Sequence, residues 1–552
     1  MAQETLVDLI RENIRASWTR QALSDWEGAT LTYGQTAERI AYLHELFRAC
    51  HMAPGDKVAL LGRNSTAWGV TWMAVVTYGA VVVPILPDFR PDDVHHIVNH
   101  SDASFLFVAD SLFTGLDAAK MRELKAVLSL GDFRVLASRK ESVSRSLAEV
   151  AARLPGRRVP YPDPSRLEWT GVAGDQLAAI VYTSGTTGFS KGVMLPHRSL
   201  LANVRYAQAN MPLEPGDTIV SFLPLAHAFG VAFEFLFPFI SGCSITFLAQ
   251  TPSPQVILKA FGQIRPRLIL SVPLVIEKIY AKRLRPTLEK EAMRILMKIP
   301  PARRILDRKI REKLIGVFGG RFREIVIGGA ALNGDVERFF KRIEFPFTCG
   351  YGMTECGPLI SYAGWKEHRA AGVGRAVDTL EVRVDSPSPS TVPGEILVRG
   401  VNVMAGYYKN PDATAAAIDA DGWLHTGDLG VIDADGFIFI RGRSKTMFLG
   451  PSGHNIYPEE IEAKLNSLPF VGESLVLERN GKLFALVYPD LERVDATKLH
   501  ERDLVTRMEK NRLTLNRRLP AWAAISRIDV YSEEFQKTPT KKIKRFLYAG
   551  AA

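Results

Sequence analysis

The chain has 552 residues, of which 47% are hydrophobic and 23% are charged, and its formal net charge is +10. These values are typical of globular proteins and exclude a disordered chain, and the length predicts two or more domains. The positive charge favours an anionic partner, although a solvated basic surface explains it equally well. Neither zinc-finger spacing nor an arginine–aromatic pattern occurs, so we expect no nucleic-acid partner.

The chain contains four cysteines and no CxxC pair. This usage predicts a reducing compartment, with neither disulfides nor a zinc site. The first residues include early acidic side chains and no long apolar core, so they do not predict a secretory signal. We therefore expect a cytoplasmic protein.

Short β-branched runs alternate with helical patterns over roughly the first 440 residues, which predicts α/β layering. A helix is predicted first, with four apolar residues on its core face: Ala37, Ile40, Leu43 and Phe47. The elements predicted after it are a strand at 57–62, a buried helix at 67–80, and strands at 81–86, 102–109 and 126–130.

Two apolar stretches, 70–86 and 227–249, are long enough to be tested as membrane spans. Gly79 and Pro84 interrupt the first stretch, and Glu234 is among the residues that interrupt the second. Both fit a buried helix followed by a strand better than a span, which leaves peripheral membrane contact open.

The pattern restarts after Arg443, with a helix in 455–468, a strand pair at 473–479 and 482–489, and a further helix and strand. We therefore predict an α/β fold with a large N-terminal domain of several subdomains, residues 1–443, built from layered sheets and helices. A small α+β C-terminal domain, residues 444–552, follows it.

The segment "YTSGTTGFSKGV" (182–193) follows the apolar run "LAAIVY" and is poor in bulky side chains. A glycine-rich turn after a strand exposes backbone N–H groups to a phosphate, and the hydroxyls and Lys191 add donors and charge. It is not a Walker A loop, because Gly-Lys-Ser/Thr is missing. From composition alone, a phosphate cradle and a flexible surface loop are equally good interpretations.

Further motifs occur in a fixed order: "LPLAHAFG" (223–230), "IGGAALN" (327–333), "YGMTECGP" (351–358), "GEILVRG" (394–400), "WLHTGDLG" (423–430), "RGRSK" (441–445) and "KTPTKKIKR" (537–545). Together with "TSGTTGFSKG" they resemble the adenylate-forming superfamily, which includes acyl-CoA synthetases, peptide-synthetase adenylation domains and luciferases. The resemblance spans nearly the whole chain, and eight ordered motifs are very specific.

The resemblance implies a nucleotide site. Its residues are Thr183, Ser184, Gly185, Thr186, Thr187, Gly188, Lys191, Gly329, Ala330, Ala331, Tyr351, Gly352, Thr354, Asp428 and Arg443. Tyr351 is expected to stack on adenine, Asp428 to accept hydrogen bonds from the ribose, and Arg443 to face the ribose or phosphate. Thr186 and Glu355 are expected to hold Mg²⁺, a hard cation that prefers oxygen ligands.

Lys542 is implied to be the catalytic lysine that neutralises charge during adenylation, beside Thr186 and Glu355. Lys541 replaces the glycine that is usual before this lysine, so the register is slightly open. Lys445 occupies the family's hinge position, which implies a mobile C-terminal domain.

Gly230 stands where amino-acid-activating relatives carry an acidic residue, so an amino-acid substrate is disfavoured. His227 and Phe229 are expected to line or gate the acyl site, although an ordinary buried histidine is nearly as good an interpretation of His227. A basic helical insertion within 272–332 resembles the long-chain fatty acyl-CoA synthetase branch. Its Leu306, Ile310 and Leu314 recur at helical spacing, which suits a lipid-facing helix or, more economically, a plain amphipathic surface helix.

These features imply an ATP-dependent long-chain acyl-CoA ligase that uses a fatty acid, ATP, Mg²⁺ and coenzyme A. Alternatives are a fatty acyl-AMP ligase that loads a carrier protein, a luciferase-like monooxygenase, and a non-catalytic nucleotide-binding protein of the same fold. A homodimer and peripheral contact with the inner face of a membrane stay open.

Overall fold

A computed structural model describes most of the chain. The described residues are 4–154, 156–161, 163–169, 171–183, 191–250, 252–288, 290–449, 455–479, 482–497, 500–538 and 543–548.

The largest sheet in the described part of the chain has eight strands, seven of them from the first 200 residues. In spatial order they are Gly406–Tyr407, Lys191–Pro196, Leu177–Thr183, Val81–Ile85, Lys57–Leu61, Ala103–Val108, Ala126–Ser129 and Val135–Ser138. The five central strands are parallel and the outer pairings are antiparallel. Several strands read as continuous apolar runs because helices cover a parallel sheet on both faces.

A second sheet joins strands from distant parts of the chain, in the order Thr218–Ser221, Ser244–Phe247, Gln21–Asp25 and Thr30–Thr32. A three-stranded parallel sheet has the order Leu268–Ser271, Glu324–Ile327 and Phe347–Cys349. The carboxyl ends of its strands carry the segments that contain Gly328 and Tyr351, so its topology brings two of the predicted motifs to one edge.

Two antiparallel sheets follow this edge. The smaller contains Tyr351–Gly352, Leu359–Tyr362 and Arg375–Ala376, and the larger contains Leu380–Asp385, Gly394–Gly400, Leu424–Ile432 and Ile438–Arg443. Asp428 lies directly opposite Arg443 in the last strand pair.

The C-terminal region has a hydrophobic core of its own, centred on Leu465, Val476 and Val487. It contains a short ladder between Phe448–Leu449 and Asn455–Ile456. A three-stranded sheet has the order Val471–Arg479, Lys482–Pro489 and Ile525–Val530.

The α-helices cover these sheets. In chain order they are Leu6–Ala16, Tyr33–Ala49, Thr66–Thr77, Pro91–His100, Asp110–Phe113, Glu141–Arg153, His197–Asn210, Ala228–Gly230, Phe237–Ile240, Pro254–Ile264, Pro273–Ile279, Arg285–Leu288, Glu291–Leu296, Pro300–Val317, Gly334–Arg342, Pro411–Ala417, Pro458–Asn466, Leu491–Thr497 and Glu501–Asn516. π-helical turns occur at Val231–Leu236 and Tyr280–Leu284.

The predicted α/β class is confirmed, and so are the early elements. Ala37, Ile40, Leu43 and Phe47 are fully or almost fully buried on their helix, as the spacing predicted. Both apolar stretches form buried helices followed by a strand. Within the described residues, no helix combines the length and apolarity needed to traverse a bilayer. All four cysteines are buried and free.

The insertion is helical, and the stripe of Leu306, Ile310 and Leu314 fits the plain amphipathic helix and not the lipid-facing alternative. Leu314 is buried and Ile310 packs against the core, because the helix Pro300–Val317 turns this face towards the helix Pro254–Ile264. The exposed apolar side chains of the insertion are different ones, namely Ile295, Leu296, Ile299 and Ile305.

Candidate active site

Two neighbouring antiparallel strands carry the flanks of the glycine-rich segment. Thr183 ends the first strand and pairs with Lys191, which begins the second. Ser184, Gly185, Thr186, Thr187 and Gly188 lie between them and outside the described residues. Thr183 is the last residue of a buried strand that runs parallel to Val81–Ile85, so this end of the strand lies at the carboxyl edge of the large sheet, where ligands of open α/β sheets bind.

Tyr351 and Asp428 are joined in a buried hydrogen bond. The Tyr351 hydroxyl donates to Oδ2 of Asp428 over 2.7 Å, and Nε of Arg443 lies 2.9 Å from Oδ1. Burial and the neighbouring carboxylate raise the pKa of Tyr351 well above its usual range, so the hydroxyl stays protonated and donates. Asp428 is 5% exposed, and its backbone N–H donates to Oγ1 of Thr426. Asp428 therefore contacts residues from two other predicted motifs.

Glu355 lies four residues after Tyr351, in the 3₁₀ helix Thr354–Cys356. Its Oε1 accepts a 2.8 Å hydrogen bond from the hydroxyl of Tyr407. The ammonium of Lys191 lies 4.6 Å from the centre of the same tyrosine ring. Tyr407 therefore connects the predicted metal ligand to the cation that follows the phosphate segment.

Backbone geometry explains two glycines of the site. A Cβ on Gly352 would lie 2.2 Å from the carbonyl oxygen of Pro358, so no other residue fits there without a shift. Gly329 adopts φ +88°, a left-handed conformation that glycine reaches without strain. Gly329, Ala330 and Ala331 are exposed after the strand Glu324–Ile327, as expected for a wall open to a ligand.

The ring of Phe229 packs against the backbone of Gly328, which directly precedes these three residues. A Cβ built on Gly328 would lie 3.2 Å from Cζ of Phe229, so the bare glycine lets the ring approach the backbone. Phe229 is half-buried, and so is His227, at the start of the same short helix. The predicted acyl-site residues are thus adjacent to the predicted adenine wall.

The predicted catalytic lysine and the predicted hinge residue come after Arg443 in the sequence. Lys542 lies outside the described residues. Lys445 is exposed in the 3₁₀ turn Ser444–Thr446, between the last strand of the large antiparallel sheet and the C-terminal region, and its hinge role stays a prediction. The domain boundary after residue 443 likewise stays a prediction.

Sequence reasoning missed Tyr407 and Asn203. Asn203 is fully buried; it donates to the carbonyl of Cys356 over 3.2 Å and accepts from the N–H of Leu359 over 2.9 Å. It therefore holds the segment that follows Glu355. Tyr407 lies in "AGYYKN", a glycine followed by two aromatics, and this weak signal does not reveal the partner of the tyrosine.

The match to a family profile agrees with this arrangement. The profile described as "AMP-binding enzyme" matches residues 10–408, well over half of the chain. The chain belongs to this family. The predicted resemblance to adenylate-forming enzymes is confirmed, and so is the prediction of an AMP-forming acid–thiol ligase.

Among characterised relatives, "Long-chain-fatty-acid--CoA ligase FadD15" of Mycobacterium bovis is 27% identical over 492 residues, covering 83% of this chain and 76% of the relative. "Long chain acyl-CoA synthetase 6, peroxisomal" of Arabidopsis thaliana is 30% identical, covering 83% and 68%. "Feruloyl-CoA synthase" of Amycolatopsis sp is also 30% identical, covering 82% and 81%.

Solved structures share the whole fold. The anthranilate CoA ligase AuaEII, solved with anthranoyl-AMP, has a TM-score of 0.79 at 19% identity and covers 100% of this chain and 97% of its own. ATP-bound MatB from Rhodopseudomonas palustris has a TM-score of 0.76 at 22% identity, covering 99% and 100%. At these identities the likeness establishes the fold alone.

Proposed function

We propose that the protein joins a long-chain fatty acid to coenzyme A through an acyl-adenylate. The observation that carries this proposal is the convergence of separate motifs on Asp428, which contacts both Tyr351 and Arg443, while Glu355 follows Tyr351 by four residues. Convergence of this kind requires the tertiary structure, so it is independent support for a nucleotide site.

The chemistry has two steps. The acid's carboxylate attacks the α-phosphorus of ATP, forming the acyl-adenylate and releasing pyrophosphate. The thiol of coenzyme A then attacks the acyl carbon, forming the thioester and releasing AMP. Phosphoryl and nucleotidyl transfer depend mostly on positioning and charge stabilisation, which here fall to Lys191 and Lys542.

Glu355 fits a magnesium ligand, because it is a half-buried carboxylate with only one oxygen engaged by Tyr407 in the described part of the chain. Thr186 and Glu355 would hold the ion, which would neutralise the phosphates. Asp428 would orient the ribose, and Tyr351 would contribute its aromatic face to the adenine while its hydroxyl holds Asp428 in place.

The proposed acid rests on the basic insertion and on the relatives named as long-chain ligases. The feruloyl-CoA synthase relative favours an aryl acid as the second candidate. Pyrophosphate exchange with a panel of acids from acetate to palmitate, including benzoates, hydroxycinnamates and amino acids, separates the two. A preference for hydroxycinnamates over palmitate would overturn the long-chain assignment.

Lys542→Ala tests the assigned lysine, and the adjacent Lys541→Ala is its matched control. We expect Lys542→Ala to abolish acid-dependent pyrophosphate exchange and to leave thioester formation from supplied acyl-adenylate largely intact. Equal damage to both half-reactions, or a larger loss in Lys541→Ala, would refute the role. Thioester formation with a carrier protein but not with free coenzyme A would favour the acyl-AMP ligase alternative.

We also propose that the insertion contacts an anionic membrane surface. Residues 282–313 carry twelve lysines and arginines against four acidic residues, and so account for eight of the chain's ten net positive charges. Four exposed aliphatic side chains lie among these charges, with Ile305 58% exposed. Exposed aliphatic groups flanked by basic residues suit the headgroup boundary of a bilayer, and a long-chain acid partitions into that bilayer.

Vesicle flotation tests this surface. We expect the protein to float with vesicles containing phosphatidylglycerol but not with pure phosphatidylcholine, and Ile299→Glu with Ile305→Glu to reduce flotation without lowering activity on a soluble short acid. The double variant Val392→Glu with Val401→Glu, at two exposed valines elsewhere, is the control. Binding to an acidic carrier protein without flotation would overturn the membrane assignment.

A further inference from the structure

We propose that Glu234 and Asn64 are positioning residues of the acyl site, which set the affinity for the acid by fixing segment 222–226. The inference rests on the proposed function in one respect, namely that this segment leads into the acyl site through His227 and Phe229. Neither residue stood out in the sequence as functional.

Glu234 is fully buried in the π-helical turn Val231–Leu236. Its side chain turns back onto the segment that precedes its own helix, and Oε2 accepts hydrogen bonds from the N–H groups of Phe222 and Leu223, each over 2.9 Å. π-helical turns are rare and occur frequently at functional sites.

Asn64 reaches the same segment from another sheet. It follows the strand Lys57–Leu61, is 7% exposed, and donates to the carbonyl of Leu223 over 2.7 Å and to Oγ of Ser221 over 3.0 Å. Its Oδ1 accepts from the N–H of Leu225 over 3.1 Å. Two side chains therefore satisfy three consecutive backbone donors, since Pro224 has none.

The clamped segment determines where the acyl-site residues lie. His227 donates its backbone N–H to the carbonyl of Pro224, and Phe229 follows two residues later and packs over Gly328. A Cβ on Gly230 would lie 2.5 Å from the carbonyl oxygen of Pro224, so the helix rests directly on the clamped backbone. A shift of the segment must therefore move Phe229 relative to the adenine wall.

Burial of the Glu234 carboxyl group in this clamp favours its neutral form. Burial raises the pKa of Glu234 well above its ordinary value, and hydrogen bonds from Leu223, Ser221 and Phe222 only partly oppose this effect. No basic side chain contacts the carboxyl group in the described structure. The groups that face it are the two backbone N–H groups and the hydroxyl of Ser221, which Asn64 also contacts.

The test compares Glu234→Ala, Glu234→Gln and Asn64→Ala in the full-length protein. Glutamine keeps the acceptor oxygen and the shape of a neutral acid, so we expect Glu234→Gln to retain most of the activity. Glu234→Ala and Asn64→Ala should raise KM for the acid by tenfold or more in pyrophosphate exchange and leave KM for ATP within about twofold, because small displacements of a substrate-positioning group cost up to ~10²-fold.

Thr71→Val is the matched control. Thr71 is fully buried on the helix Thr66–Thr77 and donates to the carbonyl of Ala67 over 2.8 Å, so its loss removes a buried hydrogen bond without touching segment 222–226. Hydrogen exchange gives a readout independent of activity. The amides of Phe222 and Leu223 should exchange faster in Glu234→Ala and stay protected in Glu234→Gln and Thr71→Val.

Three results would overturn the proposal. One is an unchanged KM for the acid in Glu234→Ala and Asn64→Ala. Another is a rise in KM for the acid in Thr71→Val that equals the rise in those two variants. The third is a loss in Glu234→Gln as large as that in Glu234→Ala, which would assign the role to a negative charge. If the wild-type protein shows no pyrophosphate exchange with any acid, the proposed function fails. Hydrogen exchange at the amides of Phe222 and Leu223 would still report whether the clamp exists.

Discussion

Replacing Tyr351 by phenylalanine isolates one hydroxyl of the nucleotide site. The aromatic ring predicted to stack on adenine is kept, and only the 2.7 Å hydrogen bond to Asp428 is removed. Because Asp428 is the predicted ribose acceptor, the variant tests whether its orientation matters for ATP.

The structure gives the size of the effect. A hydrogen bond to a charged group contributes about 1.5–3 kcal/mol. Asp428 keeps its contact with Nε of Arg443, so the carboxylate is not left unpaired and the lower end of the range applies. Since about 1.4 kcal/mol corresponds to a factor of ten in binding, we expect KM for ATP to rise by about three- to tenfold, and the rest of the loss to appear as lower stability.

The assay is pyrophosphate exchange at varied ATP and saturating acid, with Tyr362→Phe as the matched control. Tyr362 is also buried and also donates to a carboxylate, Oε2 of Glu324, over 2.6 Å. Both variants should lower the unfolding midpoint, and only Tyr351→Phe should raise KM for ATP. An unchanged KM in Tyr351→Phe, or the same rise in both, would refute the reasoning.

Three further outcomes are expected. Tyr407→Phe removes the hydrogen bond to Glu355 and should raise the magnesium concentration needed for half-maximal pyrophosphate exchange about tenfold. An unchanged magnesium concentration would show that this hydrogen bond does not affect metal binding. Gly230→Ala should cost about 1–3 kcal/mol in urea unfolding, because its Cβ meets the backbone of Pro224; full stability would contradict the close approach. Burial lowers the pKa of His197 to about 4, so below its ordinary pKa of 6.5 the unfolded state takes up a proton that the folded state does not. His197 by itself should therefore lower stability by about 2 kcal/mol from pH 7 to pH 5, and His197→Gln should remove this part of the pH dependence in urea titrations.

Local sequence was enough for much of the fold and for the class of enzyme. The buried strands and the buried helix within residues 57–86 were predictable because each is a continuous apolar run in the sequence. The ordered motifs identified the nucleotide site because each is a short contiguous segment with its own chemistry.

The α/β class, the family and the residues of the nucleotide motifs can be inferred from the amino-acid sequence alone. The folded structure was needed to find their partners, such as Tyr407 for Glu355 and Asn64 for the segment before His227, because these contacts join residues 52 and more than 150 positions apart. It also decided which face of the insertion is buried, since helical spacing specifies a stripe but not the surface that covers it.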